Sequence, residues 1–290
     1  RILKNNVTLQ TDLNFDIDPL FQSWRRYLVH LLPYDLQSKY DERFRIDFHQ
    51  FKLSYNGGQD RLRPLMQRFS ITAEQAWYVI RSLIKGSAPI GKTELTPDEY
   101  AELSRQDRVV SDDTYQLVWN SIYKSWYQPL LRDDKLWDDQ DLVGQALTVG
   151  KFDEQDEDVV ALVIDEAQDF TRRELILVAR SSAFRKYDIP RGAPVALPIV
   201  FAGDPMQSLS PTGFRWDAVK ATIYEELESV CDNAAAPSFE HLTNNYRSTP
   251  KIVALANAIQ IMRAVDFDLP KSRLQVPWVS DGDDEAAGIA

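Results

Sequence analysis

An α/β domain built on a parallel sheet, with an all-helical region inserted into it, is the fold class this sequence predicts. Three observations carry that prediction. Two apolar runs, DVVALVID and LPIVFAGD, have the length of buried strands, and each ends in an acid, Asp165 or Asp204. Between them, RRELILVARSSAFRKY has helical apolar spacing, so strand, helix and strand succeed one another as in a parallel crossover unit. Before them, the middle of the chain reads as helix after helix.

The elements follow in chain order. VTLQT (7–11) predicts a short strand and PLFQSWRRYLVHLL (19–32) a helix. RFRIDFHQF (43–51) alternates in the manner of a strand running into a turn. From QRFSITAEQAWYVIRSLIKG onward the pattern is helical: Thr72 can cap one helix, Thr96 with Pro97 opens the next, and TYQLVWNSIYKSWYQPLL (114–131) supplies another. After the two acid-ended strands, HLTNNYRSTPKIVALANAI (241–259) predicts a helix opened by Ser248, Thr249 and Pro250.

Composition narrows the function classes. With 290 residues, 44% hydrophobic and 27% charged, the chain can bury a substantial core in one or two domains. Cys231 is the single cysteine, which excludes an internal disulfide framework; no long apolar run or signal pattern is visible, so a reducing, cytoplasmic setting and no membrane partner are expected. The opening RILKNN and the closing DDEAAGIA read as the ends of a fragment. A net charge of -11 argues against a dedicated basic nucleic-acid module, although global charge does not decide local charge. Much of the acid lies in DDKLWDDQD (133–141), DEQDED (153–158) and DGDDE (281–285), each expected to be a solvated face.

The chemistry concentrates at the strand ends. In ALVIDEAQDF, four apolar residues run into Asp165, Glu166, Gln168 and Asp169, a costly arrangement unless the carboxylates leave the sheet and meet a cation, a proton or water. The second strand runs into Asp204, with Gln207 three positions on. Side by side, the two strands would bring Asp165, Glu166 and Gln207 to one crevice, where open α/β sheets bind ligands. Either motif alone is also what a turn with capping acids looks like. Tyr246 and Arg247, ahead of a helix, pair a stacking ring with a phosphate-contacting guanidinium; alternatively, the arginine ties down a surface turn.

GSAPIGKT (86–93) fits the phosphate-loop pattern letter for letter. That mechanism needs a buried strand before the loop and a helix directly after it, whereas a helix is predicted before Gly86 and an interruption after Lys92 and Thr93. A helix-to-helix connection is the expected reading. A self-contained P-loop NTPase using Lys92 is the alternative, and a strand before Gly86 would favour it.

DEAQD, GDPMQSLSPTGFRW and LTNNYRSTPKIVALAN resemble, in order, the second, third and fourth signature motifs of the UvrD/Rep branch of superfamily 1 helicases. RIDFHQF and LWDDQDLV resemble that family's Thr-Phe-His and acidic Asp-Asp-Leu segments. The resemblance implies a RecA-like P-loop NTPase sheet: residues 1–55 and 139–245 would form the first motor domain, 56–138 its helical insertion, and 246–290 the start of the second. It implies a DNA helicase or translocase coupling Mg-ATP hydrolysis to movement on single-stranded DNA, with RNA the other candidate strand. Its phosphate loop would lie upstream of Arg1 and its later motifs beyond the last residue, so this fragment alone should be a poor ATPase. A catalytically degenerate scaffold is a further alternative.

By the same resemblance, Asp165 would hold Mg²⁺ and Glu166 would orient and deprotonate the attacking water. Gln207 would sense the γ-phosphate and Arg247 would contact it, while Tyr246 would stack on the base of ATP. Gln168, Asp169 and Asp204 would complete the nucleotide side, and Trp216 with Phe214 would stack on a single-stranded base. Ser210 to Gly213 lengthen the segment before Trp216 relative to the family pattern.

Overall fold

Side-chain capping, more than apolar periodicity, decides where the chain turns helical. Asp47 and Gln50 form a reciprocal capping box, each side chain accepting from the other residue's amide, and helix α3 (Phe48–Asn56) starts there. The strand expected over 43–51 is therefore replaced by a 3₁₀ turn (Glu42–Phe44), a single bridge between Arg45 and Trp137, and α3. Thr72 and Thr96 cap their helices in the same way, with Gln75 and Glu99 as partners and Pro97 in the first turn. The computed structural model describes residues 2–4, 20–57, 71–105, 107–152, 159–181, 199–204, 216–228, 240–266 and 274–277. The strand expected at 7–11 and the acidic runs 153–158 and 281–285 lie outside the described residues.

The chain divides into two compact units, Arg1–Pro237 and Ser238–Ala290. The first begins with strand β1 (Ile2–Lys4), followed by α1 (Leu20–Leu31), α2 (Tyr34–Gln37) and α3. Helix α4 runs over Ala73–Tyr78 and continues as a π-helical stretch, Val79–Lys85; α5 is Pro97–Glu102. Helix α6 starts at Asp112–Leu117, widens into a π-helical stretch over Val118–Tyr127, and ends as Gln128–Asp133. Then come α7 (Asp139–Val149), β2 (Val159–Ile164), a 3₁₀ turn (Ala167–Asp169), α8 (Arg172–Ser181), β3 (Ile199–Phe201) and α9 (Trp216–Glu228). The second unit holds β4 (Asn244–Asn245), α10 (Pro250–Asp266) and β5 (Val276–Pro277), with β4 and β5 parallel.

The α/β prediction with a RecA-like parallel sheet is overturned. Most described residues are helical, and the first unit's sheet has three strands in the order β1-β2-β3. Only β2 and β3 are parallel, paired over Leu162–Ile199, Val163–Val200 and Ile164–Phe201; β1 runs antiparallel to β2. No RecA-like parallel sheet is present among the described residues. The physical reason lies in where the apolar surface goes. A parallel sheet needs both faces covered, yet Val163 and Val200 are 40% and 57% exposed. The large aromatic residues instead build a helix-on-helix core.

That core gathers Phe51, Tyr55, Tyr78, Ile80, Leu83, Tyr115, Ile122 and Trp126. The Phe51 ring lies 5.0 Å from Trp77, 5.4 Å from Trp126 and 5.3 Å from Tyr127, centroid to centroid, within the range for favourable offset and edge contacts. A second cluster packs α1 and α7 around the fully buried Trp137, with Leu177 of α8 joining it. The sheet has a smaller cluster: Leu162, Ile164, Ala167 and Val178, against Ile199, Phe201 and Trp216. Helices α8 and α9 close it through Leu175, Ala179, Val219 and Ile223.

The acidic run 133–141 is not simply a solvated face. Asp138 is buried, caps α7 through the Gln140 and Asp141 amides, and meets Lys85 Nζ at 2.6 Å, while Asp141 meets the same ammonium at 2.7 Å. Tyr127 donates its hydroxyl to Asp138 at 2.8 Å, and burial holds that phenol well above its ordinary pKa. Among the described residues, no helix is long and apolar enough to cross a membrane.

Candidate functional site

The two acid-ended strands do come together. Because β2 and β3 are parallel and in register, their carboxyl ends emerge side by side, joined by hydrogen bonds from the Ala202 amide to the Ile164 carbonyl and from the Ala167 amide to the Ala202 carbonyl. Asp165 and Glu166 are exposed there, with the Glu166 amide donating to Asp165 Oδ1 at 2.9 Å. Glu166 occupies the left-handed region, φ 53° and ψ 41°. For a non-glycine residue this costs on the order of 1–2 kcal/mol and is found mostly where neighbouring structure enforces it.

Gln168 fastens the Glu166 side chain. It is 1% exposed, and its Nε2 donates to Glu166 Oε2 at 2.6 Å while its Oε1 accepts the Asp204 amide at 3.0 Å. One carboxamide thus spans both strand ends, holding one carboxylate oxygen of the exposed Glu166. Gly203 makes room for it: a Cβ there would lie 2.5 Å from Gln168 Oε1 and 3.1 Å from the Ala167 amide. Gly203→Ala is therefore expected to swing Gln168 off Glu166. Thermal melting should fall by only a few degrees, since the closest atom ends a flexible side chain, while any turnover that depends on Glu166 falls roughly tenfold. Wild-type turnover in a folded Gly203→Ala protein would show that Gln168 does not orient Glu166.

Asp169 is exposed on the same turn. Trp216 opens α9 and packs, partly buried, against the sheet cluster with Phe170, Ile199 and Phe201. Gln207 and Phe214 lie outside the described residues. No group of three or more His, Cys, Asp or Glu able to cage a metal occurs among the described residues. The pair of adjacent exposed carboxylates at Asp165 and Glu166 nevertheless suits Mg²⁺, which usually takes one or two carboxylates and fills its other positions with water and phosphate.

Within the second unit, Asn245 organises the turn carrying Tyr246 and Arg247. Its Oδ1 accepts the amides of Arg247 at 3.0 Å and Ser248 at 2.9 Å, and its Nδ2 donates to Gln275 at 2.7 Å. Gln275 is held in turn by two bonds with Asn257 of α10. Tyr246, 70% exposed, and Arg247 are thereby presented on a braced Asx turn.

The Gly86–Thr93 stretch is built to hold a cation. Helix precedes it, with the π-helical turn ending at Lys85, and the buried Arg173 of α8 enters its concave side. The guanidinium donates to the carbonyls of Ala88 at 2.8 Å, Pro89 at 2.9 Å and Lys92. A phosphate loop presents amides, whereas this loop turns carbonyls inward. Gly86 serves close packing, since a Cβ would lie 2.7 Å from the Thr171 side chain, and Lys92 Nζ is engaged by Glu99. A cleft of about 740 Å³ in the helical body, lined by Ile71, Tyr78, Val110, Leu117 and their neighbours, contains none of the predicted site residues.

Arg173, Glu174 and Gln140 were not singled out by sequence. The signal for Glu174 was present in Thr171-x-x-Glu174, a capping-box pattern that the structure realises at the start of α8. No protein-family model matches this chain, and no curated protein matches it.

Proposed function

We propose that the chain belongs to an ATP-driven motor acting on single-stranded DNA, of the kind its UvrD/Rep-like motifs imply, with Asp165 and Glu166 as the hydrolytic carboxylates. One observation carries the reading: Gln168, buried and bonded to both strand ends, holds the side chain of the exposed Glu166, whose own backbone is left-handed. Strained backbone of this kind clusters at functional sites, which favours a reacting carboxylate over a capping one.

In this reading Asp165 would hold Mg²⁺, which would supply neutralisation of phosphate charge. Glu166 takes the proton from the attacking water through the oxygen that Gln168 leaves uncommitted. Within the second unit, Tyr246 and Arg247 offer a stacking ring and a guanidinium suited to phosphate; within the first, Trp216 offers an aromatic surface to a DNA base. The carbonyl-lined Gly86–Lys92 loop, already filled by Arg173, weighs against the alternative of a phosphate site at Lys92.

The test is ATP hydrolysis by the complete natural chain, with and without single-stranded DNA. Hydrolysis is expected to rise on adding DNA and to stay within about twofold in Lys92→Ala, because that ammonium engages Glu99 on the surface. Abolished turnover in a folded Lys92→Ala protein would move the phosphate site to the helical loop. Absence of hydrolysis in the complete chain would leave a nucleic-acid or protein scaffold as the better reading.

A further inference from the structure

Between the carboxylate turn and the helical body runs a polar junction that the proposed chemistry does not use. Glu174 is its centre. Arg81 Nη2 donates to its two oxygens at 2.9 and 3.1 Å, Gln140 Nε2 donates to Oε1 at 2.9 Å, and the Thr171 amide donates to Oε2 at 2.7 Å. The Thr171 hydroxyl donates to Gln140 Oε1 at 3.2 Å, closing a ring drawn from α4, α7 and the start of α8. The other terminal nitrogen of Arg81 lies 3.5 Å from the carbonyl of Asp169, the last residue of the turn that starts after Glu166. Arg173 adds a second fastening one residue away: its amide donates to Gly86 at 3.0 Å, and its guanidinium fills the carbonyl cage beyond.

An isolated surface ion pair would mean little. This pair is different, because Arg81 and Glu174 are only 27% and 16% exposed and every oxygen of the carboxylate is committed. Resting on the ATP-hydrolysis reading above, the geometry points to Arg81 and Glu174 as positioning residues for Glu166. They tie the Ala167–Asp169 turn to the helical body, so the orientation of the base depends on where α4 stands. The path is short. A shift of α4 pulls on the Asp169 carbonyl, and the neighbouring Gln168 is the residue that grips Glu166 at 2.6 Å.

The test compares wild type, Arg81→Met, Arg81→Lys and Glu174→Gln in the complete natural chain. It measures kcat and KM for ATP together with amide hydrogen exchange across 167–170. Arg81→Met is expected to lower kcat roughly tenfold with KM within about twofold, as when a reacting group is misplaced from a distance. Exchange at Ala167, Asp169 and Phe170 should quicken while α6 stays protected. Arg81→Lys, which keeps a charged bond to Glu174, should recover part of both effects; Glu174→Gln should show the same kcat loss and faster exchange expected of Arg81→Met, and takes its place if Arg81→Met does not fold. Unchanged kcat in an active protein overturns the inference, as does a raised KM with unchanged kcat. If the wild-type chain does not hydrolyse ATP, the functional reading falls, and exchange alone then decides the tie: unaltered exchange at 167–170 removes it, and faster exchange upholds it.

Discussion

Replacing Glu166 by Gln is expected to lower DNA-stimulated ATP turnover of the complete chain by at least about 10²-fold, the usual scale for losing a general base. That corresponds to roughly 2.7 kcal/mol of transition-state stabilisation. The substitution isolates proton acceptance from geometry. An amide has the same shape, its oxygen can still accept from Gln168 Nε2, and it pays the same backbone cost in the left-handed region. Because residue 166 is exposed, the melting temperature should hardly move. ATP affinity, measured as nucleotide binding at equilibrium, should stay within about threefold. Turnover within about threefold of wild type would remove Glu166 from the chemistry and leave the strained turn without a catalytic reason.

The largest stability loss is expected at Lys85, deep in the helical body. Lys85 is 2% exposed and bonded to both Asp138 and Asp141. Burial opposes its charge, but the two carboxylates outweigh burial and hold its pKa above the ordinary lysine value. Lys85→Met keeps the volume and removes the cation, leaving Asp138 buried with only Tyr127 and the α7 amides. Removing one partner of a buried ion pair costs about 3–5 kcal/mol, and since Asp138 keeps those hydrogen bonds the lower end is expected. Against a typical total of about 5–15 kcal/mol, this is a large fraction. Urea denaturation followed by circular dichroism should show it as a lower midpoint. The pH dependence has a definite sign. A raised ammonium pKa stabilises the fold fully below the unfolded lysine value, about 10.4, and the benefit is lost as pH rises through the higher folded value. The gap between wild type and Lys85→Met should therefore be widest near neutrality and narrow in the alkaline range. A midpoint shift worth less than about 1 kcal/mol would mean that the network is solvated.

Some of this was legible in the residues. Thr72, Thr96 and Pro97 mark helix starts because a cap is a local interaction, and the acid-ended runs marked β2 and β3 because a strand of that apolarity ends where polar groups begin. Alternation misled at 43–51, where the Asp47–Gln50 capping box outweighs a period of two. At 133–141, charge suggested solvent, whereas Asp138 and Asp141 converge on a lysine some 50 positions earlier. The sheet was overestimated for a related reason. Periodicity locates strands, but how many of them pair, and whether helices cover both faces, depends on contacts distant in sequence.

The sequence by itself determined the local features: the capped helices, the helical character of the middle region, and the placement of Asp165 and Glu166 just past an apolar strand. Each follows from residues within a few positions of one another. Tertiary structure alone decided that Gln168 spans two strand ends, that Arg173 fills the loop resembling a phosphate site, and that Glu174 joins three helices into one junction. Apart from the Gln168–Glu166 bond, those interactions join residues tens of positions apart, and a buried hydrogen-bonding group is satisfied by whatever the fold brings within 3 Å of it.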